Sequence, residues 1–262
     1  MANAWILKPL PIISATASST AVGAPSNVAL DYAGVVWASA SVTTVALIID
    51  LGADRAVDTV ALFGVFAPAG TLIDVQGATS AQGAGFANGS YYSSAQVSIF
   101  AGTSRLTSGA GVTLTTMTAW PAVRYLRLGI VAPVAGVVQI SRAVAGTRIV
   151  LSRNFGFGAA FGVRDLGSVD FSRRGVLLRT RGAKLRTLGL SFSNVRKDEV
   201  EATTKPLLEQ IGNTEMVALI ADPAADGQRE NRAYFGPLVG DLSHVWRNAA
   251  AFEAKINMAS IF

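Results

Sequence analysis

The chain of 262 residues has no cysteine and a single histidine, His244. The first absence excludes a disulfide framework, a thiol nucleophile and any cysteine-ligated metal. It fits folding in a reducing compartment. The second excludes every site that needs two histidines from one chain. Charge is sparse as well: 15% of the residues are Asp, Glu, Lys or Arg, against 50% that are apolar. Disordered chains show the opposite balance, so a sizeable core is expected. Long apolar runs are also missing. The mean hydropathy is positive, at +0.41, yet residues 128–140, the most apolar stretch, are broken by Gly129, Pro133 and Gly136. A spanning helix needs about 20 consecutive apolar residues, so no membrane insertion is expected. The opening MANAWILKPLPIIS has no basic stretch ahead of an apolar run, and no secretory signal is read there.

Catalytic motifs are equally scarce. A Ser–His–Asp site would have to recruit His244, which lies in the strand-like run LSHVW, and no G-x-S-x-G elbow occurs. Gly156, Gly158 and Gly162 miss the dinucleotide-loop spacing by one residue and lack a βαβ frame. Of the carboxylates Asp31, Asp50, Asp54, Asp58 and Asp74, all but one sit beside turn residues or in expected loops, where Asp forms local hydrogen bonds. A calcium held by Asp31 or Asp54 stays open beside that local role. The chain is read as a non-enzyme with no cofactor and no assigned metal site.

Charge is divided unevenly along the chain. Up to residue 141 the basic residues Lys8, Arg55, Arg105, Arg124 and Arg127 balance the five aspartates. The whole net charge of +5 therefore lies in residues 142–262. This shift implies two domains, 1–145 and 146–262. The first reads as β. Residues 42–51 (VTTVALIIDL) and 56–66 (AVDTVALFGVF) are β-branched runs closed by turn residues, and residues 125–131 (YLRLGIV) alternate apolar and polar. Several short strands with Gly/Ser-rich turns predict a β-sandwich. Residues 78–94 read as a long surface loop carrying Phe86, Tyr91 and Tyr92. Three rings on such a loop are expected to meet a sugar or a neighbouring subunit rather than water.

The second domain reads as α+β. Residues 176–181 and 184–192 look like a hairpin turning at Gly182-Ala183. A helix is predicted over about 197–211, with Val200, Leu207, Leu208 and Ile211 on one face and Asp198, Glu199 and Glu201 in its first turn. Pro206 either kinks that helix or marks its true start near Thr204. Residues 251–260 alternate as a half-buried strand. The densest charge lies between residues 164 and 186, where Arg164, Arg173, Arg174, Arg179, Arg181, Lys184 and Arg186 face only Asp165 and Asp170. Aromatic interleaving is limited to Phe171. The reading is therefore a solvated or subunit-facing sheet and not a sequence-specific nucleic-acid site. Arg173, Arg174, Arg179, Arg181, Lys184 and Arg186 are the expected subunit contacts, with Asp198, Glu199 and Glu201 of an adjacent copy as partners.

Residues 27–39 (NVALDYAGVVWAS), 46–64 (ALIIDLGADRAVDTVALFG) and 123–130 (VRYLRLGI) resemble, in this order, segments of discoidin-like domains of the galactose-binding fold. The flanking cysteines of that family are absent, and Val35 replaces the usual Thr two before Trp37. The resemblance implies an N-terminal jelly roll with a glycan-facing loop end, at which Asp31, Phe86, Tyr91 and Tyr92 are the ligand candidates. The arrangement of the second half resembles minor structural proteins at the tail tip of tailed bacteriophages. It has Arg-rich strands, one helix, GNTEMVALIADP, YFGPL and a final strand. That resemblance implies a mainly β protein with a jelly roll followed by an α+β domain built on a β-sandwich with one main helix. It also implies a homo-oligomeric ring at the distal end of the tail, with the tube and hub proteins as neighbours. The virion tail is then the location, after synthesis in the host cytoplasm, and host-surface glycan is a further partner. A carbohydrate-binding module without an assembly role is the alternative.

Overall fold

The computed structural model describes residues 2–86, 91–241 and 243–262. The chain forms two compact units, one of Met1–Val150 with Ala218–Ala233 and one of Leu151–Val217 with Tyr234–Phe262. Both are mainly β, as the sequence implies. Among the described residues no helix is long and apolar enough to cross a membrane.

The first unit is built on strands β1 (Trp5–Leu7), β2 (Ser14–Ala17), β3 (Trp37–Ala38), β4 (Val42–Arg55), β5 (Thr59–Val65), β6 (Leu72–Ala78), β7 (Tyr92–Ser93), β8 (Val97–Ser98), β9 (Gly111–Thr116), β10 (Val123–Gly136), β11 (Gln139–Ile140), β12 (Arg142–Gly146) and β13 (Arg148–Val150). One sheet runs β2-β4-β10-β6-β7, with β8 also on β6; the facing layer is β12-β5-β9, extended by the β11-β3 pair. All these pairings are antiparallel. The alternation in β4 sends Val45, Leu47, Ile49 and Leu51 inward, where they meet Leu126, Leu128 and Ile130 of β10 and Val60 and Leu62 of β5. Trp37 is fully buried in this core and donates its indole N–H to the Thr20 hydroxyl at 3.1 Å. Thus the resemblance segments supply the centre of the sandwich.

The second unit holds β14 (Ala160–Asp165), β15 (Ser168–Phe171), β16 (Leu177–Thr180), β17 (Lys184–Arg196), α1 (Lys197–Glu199), α2 (Lys205–Ile211), most of β19 (Ala233–Pro237), β20 (His244–Asn248) and β21 (Ala251–Ser260), while β18 (Met216–Ile220) runs from it into the first unit. Its main sheet runs β14-β17-β21-β20. Leu188, Leu190 and Phe192 of β17 and Phe252, Ala254, Ile256 and Met258 of β21 are buried. The predicted alternation of residues 251–260 is therefore real. The helical stretch 197–211 is continuous, because a π turn over Val200–Thr204 joins α1 to α2. Pro206 enters at the first turn of α2, where its missing N–H is tolerated.

Residues 218–233, which the sequence reading placed in the second domain, belong to the first unit. The reason is pairing. Within this segment β18 lies antiparallel to β1, Ala218 opposite Leu7 and Ile220 opposite Trp5, and β13 takes the other side of β1. The Glu230 side chain then anchors the return of the segment. It is fully buried and accepts the Gly102 N–H at 3.1 Å and an Arg105 N–H at 2.7 Å.

Candidate functional site

The basic segment folds as one long two-stranded ribbon. Residues 160–165 of β14 pair with 184–189 of β17, and Ser168–Phe171 pair with Leu177–Thr180. The hairpin expected to turn at Gly182-Ala183 is thus different. β16 pairs with β15 instead of β17, and the chain reverses over residues 172–176. There Ser172 accepts from Gly175 at the end nearest β15 and donates to the Val176 carbonyl at 2.9 Å. Gly175, at φ 74°, supplies the left-handed residue that the reversal needs. Gly182 lies instead at a register slip. Asp165 faces Lys184, but Ser168 faces Thr180, so one strand carries an extra residue. A side chain on Gly167 would come within 2.7 Å of the Thr180 carbonyl oxygen, and one on Gly182 would run into the Gly167 nitrogen. Two glycines let the strands cross this slip.

Directly opposed residues share a face of the ribbon. Val169 opposes Arg179 and Phe171 opposes Leu177. One face of the outer ribbon is therefore apolar apart from one arginine, and the other carries Ser168, Asp170, Leu178 and Thr180. This is the pattern of a half-buried sheet, yet Val169 is 68%, Phe171 65% and Leu177 50% exposed. Every residue of β14, β15 and β16 is exposed. Among the described residues no ion pair holds Arg173, Arg174, Arg179, Arg181 or Lys184. Asp165 instead accepts the Gly167 N–H at 2.7 Å.

The other expected contacts have partners inside the chain. Arg186 lies over the Tyr234 ring, 4.2 Å from its centroid. Glu199 accepts the N–H and the hydroxyl of Ser152, each at 2.8 Å. Glu201 lies 3.7 Å from Lys197 in a solvent-exposed pair; Asp198 is exposed. The residues that sequence reasoning missed are Val169, Phe171 and Leu177. Val169 and Phe171 alternate with polar residues in SVDF, whereas Leu177 lies in the apolar run VLL and shows no such period.

The ligand candidates of the first unit do not share one surface. Asp31 pairs with the buried Arg142 at 2.9 Å, and Arg142 opposes Phe63 at the far end of β5. The 78–94 segment leaves β6 at the other end of the sandwich, where Ser80 N–H reaches Asp54 at 2.8 Å. Residues 87–90 of this segment lie outside the described residues. Phe86, expected to be exposed, is buried at 8% and meets Tyr91 edge-on, with centroids 6.0 Å apart. Tyr92 remains 37% exposed, 6.3 Å from the Trp120 ring. Beyond Tyr91 the chain pairs with β6 through β7, Tyr92 opposite Gly77.

No family model matches this chain. No curated protein matches it either. Among solved structures it is similar to a histidine mutant of the lectin binding domain of Lectinolysin complexed with Lewis b. That likeness has 17% identity and covers 51% of this chain and 92% of that one, with a TM-score of 0.37. A chitosan-binding module of a chitosanase/glucanase from Paenibacillus sp. IK-5 has 19% identity and covers 53% and 98%, with a TM-score of 0.41. A fucose-binding module from Streptococcus pneumoniae has 11% identity and covers 53% and 94%, with a TM-score of 0.39.

Proposed function

We propose that this chain is a structural, non-catalytic subunit that assembles with copies of itself through the ribbon of its second unit. The observation that carries this reading is the bare apolar face of Val169, Phe171 and Leu177. Full burial of such side chains contributes about 1.5–3 kcal/mol each, before the losses of association. A contiguous apolar face on a projecting ribbon marks an interaction surface. Charge supports a second copy as the partner. The ribbon concentrates arginine, and the helical stretch with Asp198, Glu201 and Glu209 concentrates carboxylates on the same unit. A ribbon meeting a different patch of the next copy is a head-to-tail contact, the kind that makes a ring where its rotation closes. The resemblance of the second half to tail-tip proteins supports the distal end of a phage tail as the setting. The test is the mass of the purified full chain. Phe171→Ser with Leu177→Ser should leave a folded monomer where the parent forms a defined oligomer. A monomeric parent, or an unchanged oligomer in the double variant, would remove the proposal.

A second reading, saccharide binding, is favoured by the outward face of the first unit. There Arg127 donates to Gln76 at 3.1 Å and Gln76 donates to Asp74 at 2.8 Å, beside the half-buried Tyr125. Pre-oriented amide, guanidinium and carboxylate groups next to an aromatic ring suit a ligand rich in hydroxyls. Binding of a free sugar that weakens in Arg127→Ala would support that face.

A further inference from the structure

The second unit holds a cleft of about 710 Å³ between its helical stretch and the edge strand β20. Its lining joins the rings of Trp246, Phe252 and His244 to the polar groups of Glu209, Asn213 and Asp241, with Glu201 and Lys205 also present. Trp246 is 56% exposed, an unusual state for an indole whose ring centroid lies 4.0 Å from that of buried Phe252. His244 lies 2.9 Å from the hydroxyl of buried Thr204, which fixes the ring in the wall. Burial, reinforced by the nearby Lys205, holds the imidazole below its ordinary pKa. It is therefore neutral near pH 7, with one donor and one acceptor nitrogen.

The nature of the guest follows from these groups. A volume of a few hundred cubic ångströms, largely apolar with a few converging polar groups, suits a small organic ligand. Two of the three cleft carboxylates already face lysines, Glu209 at 3.9 Å from Lys205 and Glu201 at 3.7 Å from Lys197. Lys197 also stands 5.5 Å over the Trp246 ring. A guest guanidinium would compete with these lysines, and a guest anion would meet the carboxylates. A neutral molecule with an apolar C–H face and a rim of hydroxyls meets neither obstacle. We propose that this cleft binds a neutral saccharide unit, its C–H face against the exposed indole of Trp246 and its hydroxyls on Glu209, Asn213 and Asp241. The site rests on the saccharide reading above and adds to it a second place, in the second unit.

The test titrates the full chain with D-glucose, D-galactose, L-fucose, N-acetyl-D-glucosamine and the N-acetyl-D-glucosamine dimer, read by calorimetry and ligand-observed NMR. At least one sugar should bind with a Kd of about 1 mM or tighter. Trp246→Ala and the exposed Glu209→Gln should each weaken it by about tenfold or more. Glu209→Gln alters no packing, so it keeps the test valid if the tryptophan variant misfolds. Lys255→Ala, at an exposed position of β21 outside the cleft, should leave binding unchanged. Binding that survives both cleft variants and is lost in Arg127→Ala overturns this site and leaves the saccharide reading standing. No binding by any of the five sugars overturns both. Binding of a ribbon-tip peptide containing Arg173 and Arg174 in place of any sugar overturns the proposal in favour of a second copy as the guest.

Discussion

The Arg105 guanidinium lies 2.7 Å from a Glu230 carboxylate that is wholly buried, although the two residues stand 125 positions apart. Arg105 belongs to the loop before β9, and Glu230 to the segment that returns to the first unit. Thr103 and Ser104 add their N–H groups to the Gly227 carbonyl, at 3.1 and 2.9 Å. The pair is therefore the clasp that binds residues 218–233 to the sandwich.

Glu230→Ala should destabilise the first unit by about 1–3 kcal/mol, the range for a buried hydrogen-bonded group lost to one side. Its pH dependence has a definite sign. Burial raises the Glu230 pKa against the smaller opposing pull of the Gly102 N–H and Arg105. The folded state thus holds the proton to higher pH than the unfolded chain does. The stability from this proton is full below the unfolded pKa and is lost as pH rises through the folded one. As pH rises above the ordinary glutamate range the parent should lose stability relative to Glu230→Gln, which cannot titrate. Urea midpoints at several pH values measure this, and a relative gain by the parent would contradict it.

Asp50 behaves oppositely. Arg124 holds it through two hydrogen bonds, at 2.8 and 3.0 Å, and lowers its pKa against the smaller effect of burial. This contribution is present above the unfolded pKa and is lost as pH falls through the lowered one. In Arg124→Gln the Asp50 carboxyl should titrate at higher pH than in the parent, as carbon-detected NMR would record. An unmoved titration would show that the pair does not form in solution.

Trp37 is wholly buried, and its indole N–H has a partner. Trp37→Ala should cost about 3–5 kcal/mol. Thermal unfolding followed by circular dichroism checks it. A melting temperature equal to that of the parent would displace Trp37 from the core.

Gly182 faces Gly167 across the slip in the ribbon. Gly182→Ala should push the strands apart there and lower amide protection over residues 168–180, while β17 and β21 keep theirs. Hydrogen exchange measures both in one experiment. Unchanged protection at Val169 and Arg179 would mean that the slip accepts a side chain.

Local pattern carried much of this fold. The alternation of Val45, Leu47, Ile49 and Leu51, and of Phe252, Ala254, Ile256 and Met258, declares strands with one buried face, because side chains alternate with a period of two. The missing thiols and lone histidine were readable in the same direct way. Pairing was a different matter. Which strand β16 joins depends on where the chain reverses, and the residues alone pointed to Gly182-Ala183. Only the three-dimensional register gave the reversal to Gly175 and the slip to Gly182. Distance in sequence hid the rest. The carboxylate that closes on Arg105 comes from the far side of the second unit's chain, and the wall of Trp246, His244 and Glu209 joins an edge strand to a helix. Such sites are made by long-range closure, whose partners leave no periodic trace in the residues between them. The sequence by itself determined strand content and the absence of thiol chemistry, since these depend on composition and local periodicity. The tertiary structure alone decided that the ribbon's apolar face is bare and that Phe86 is covered, since burial depends on what packs above a side chain.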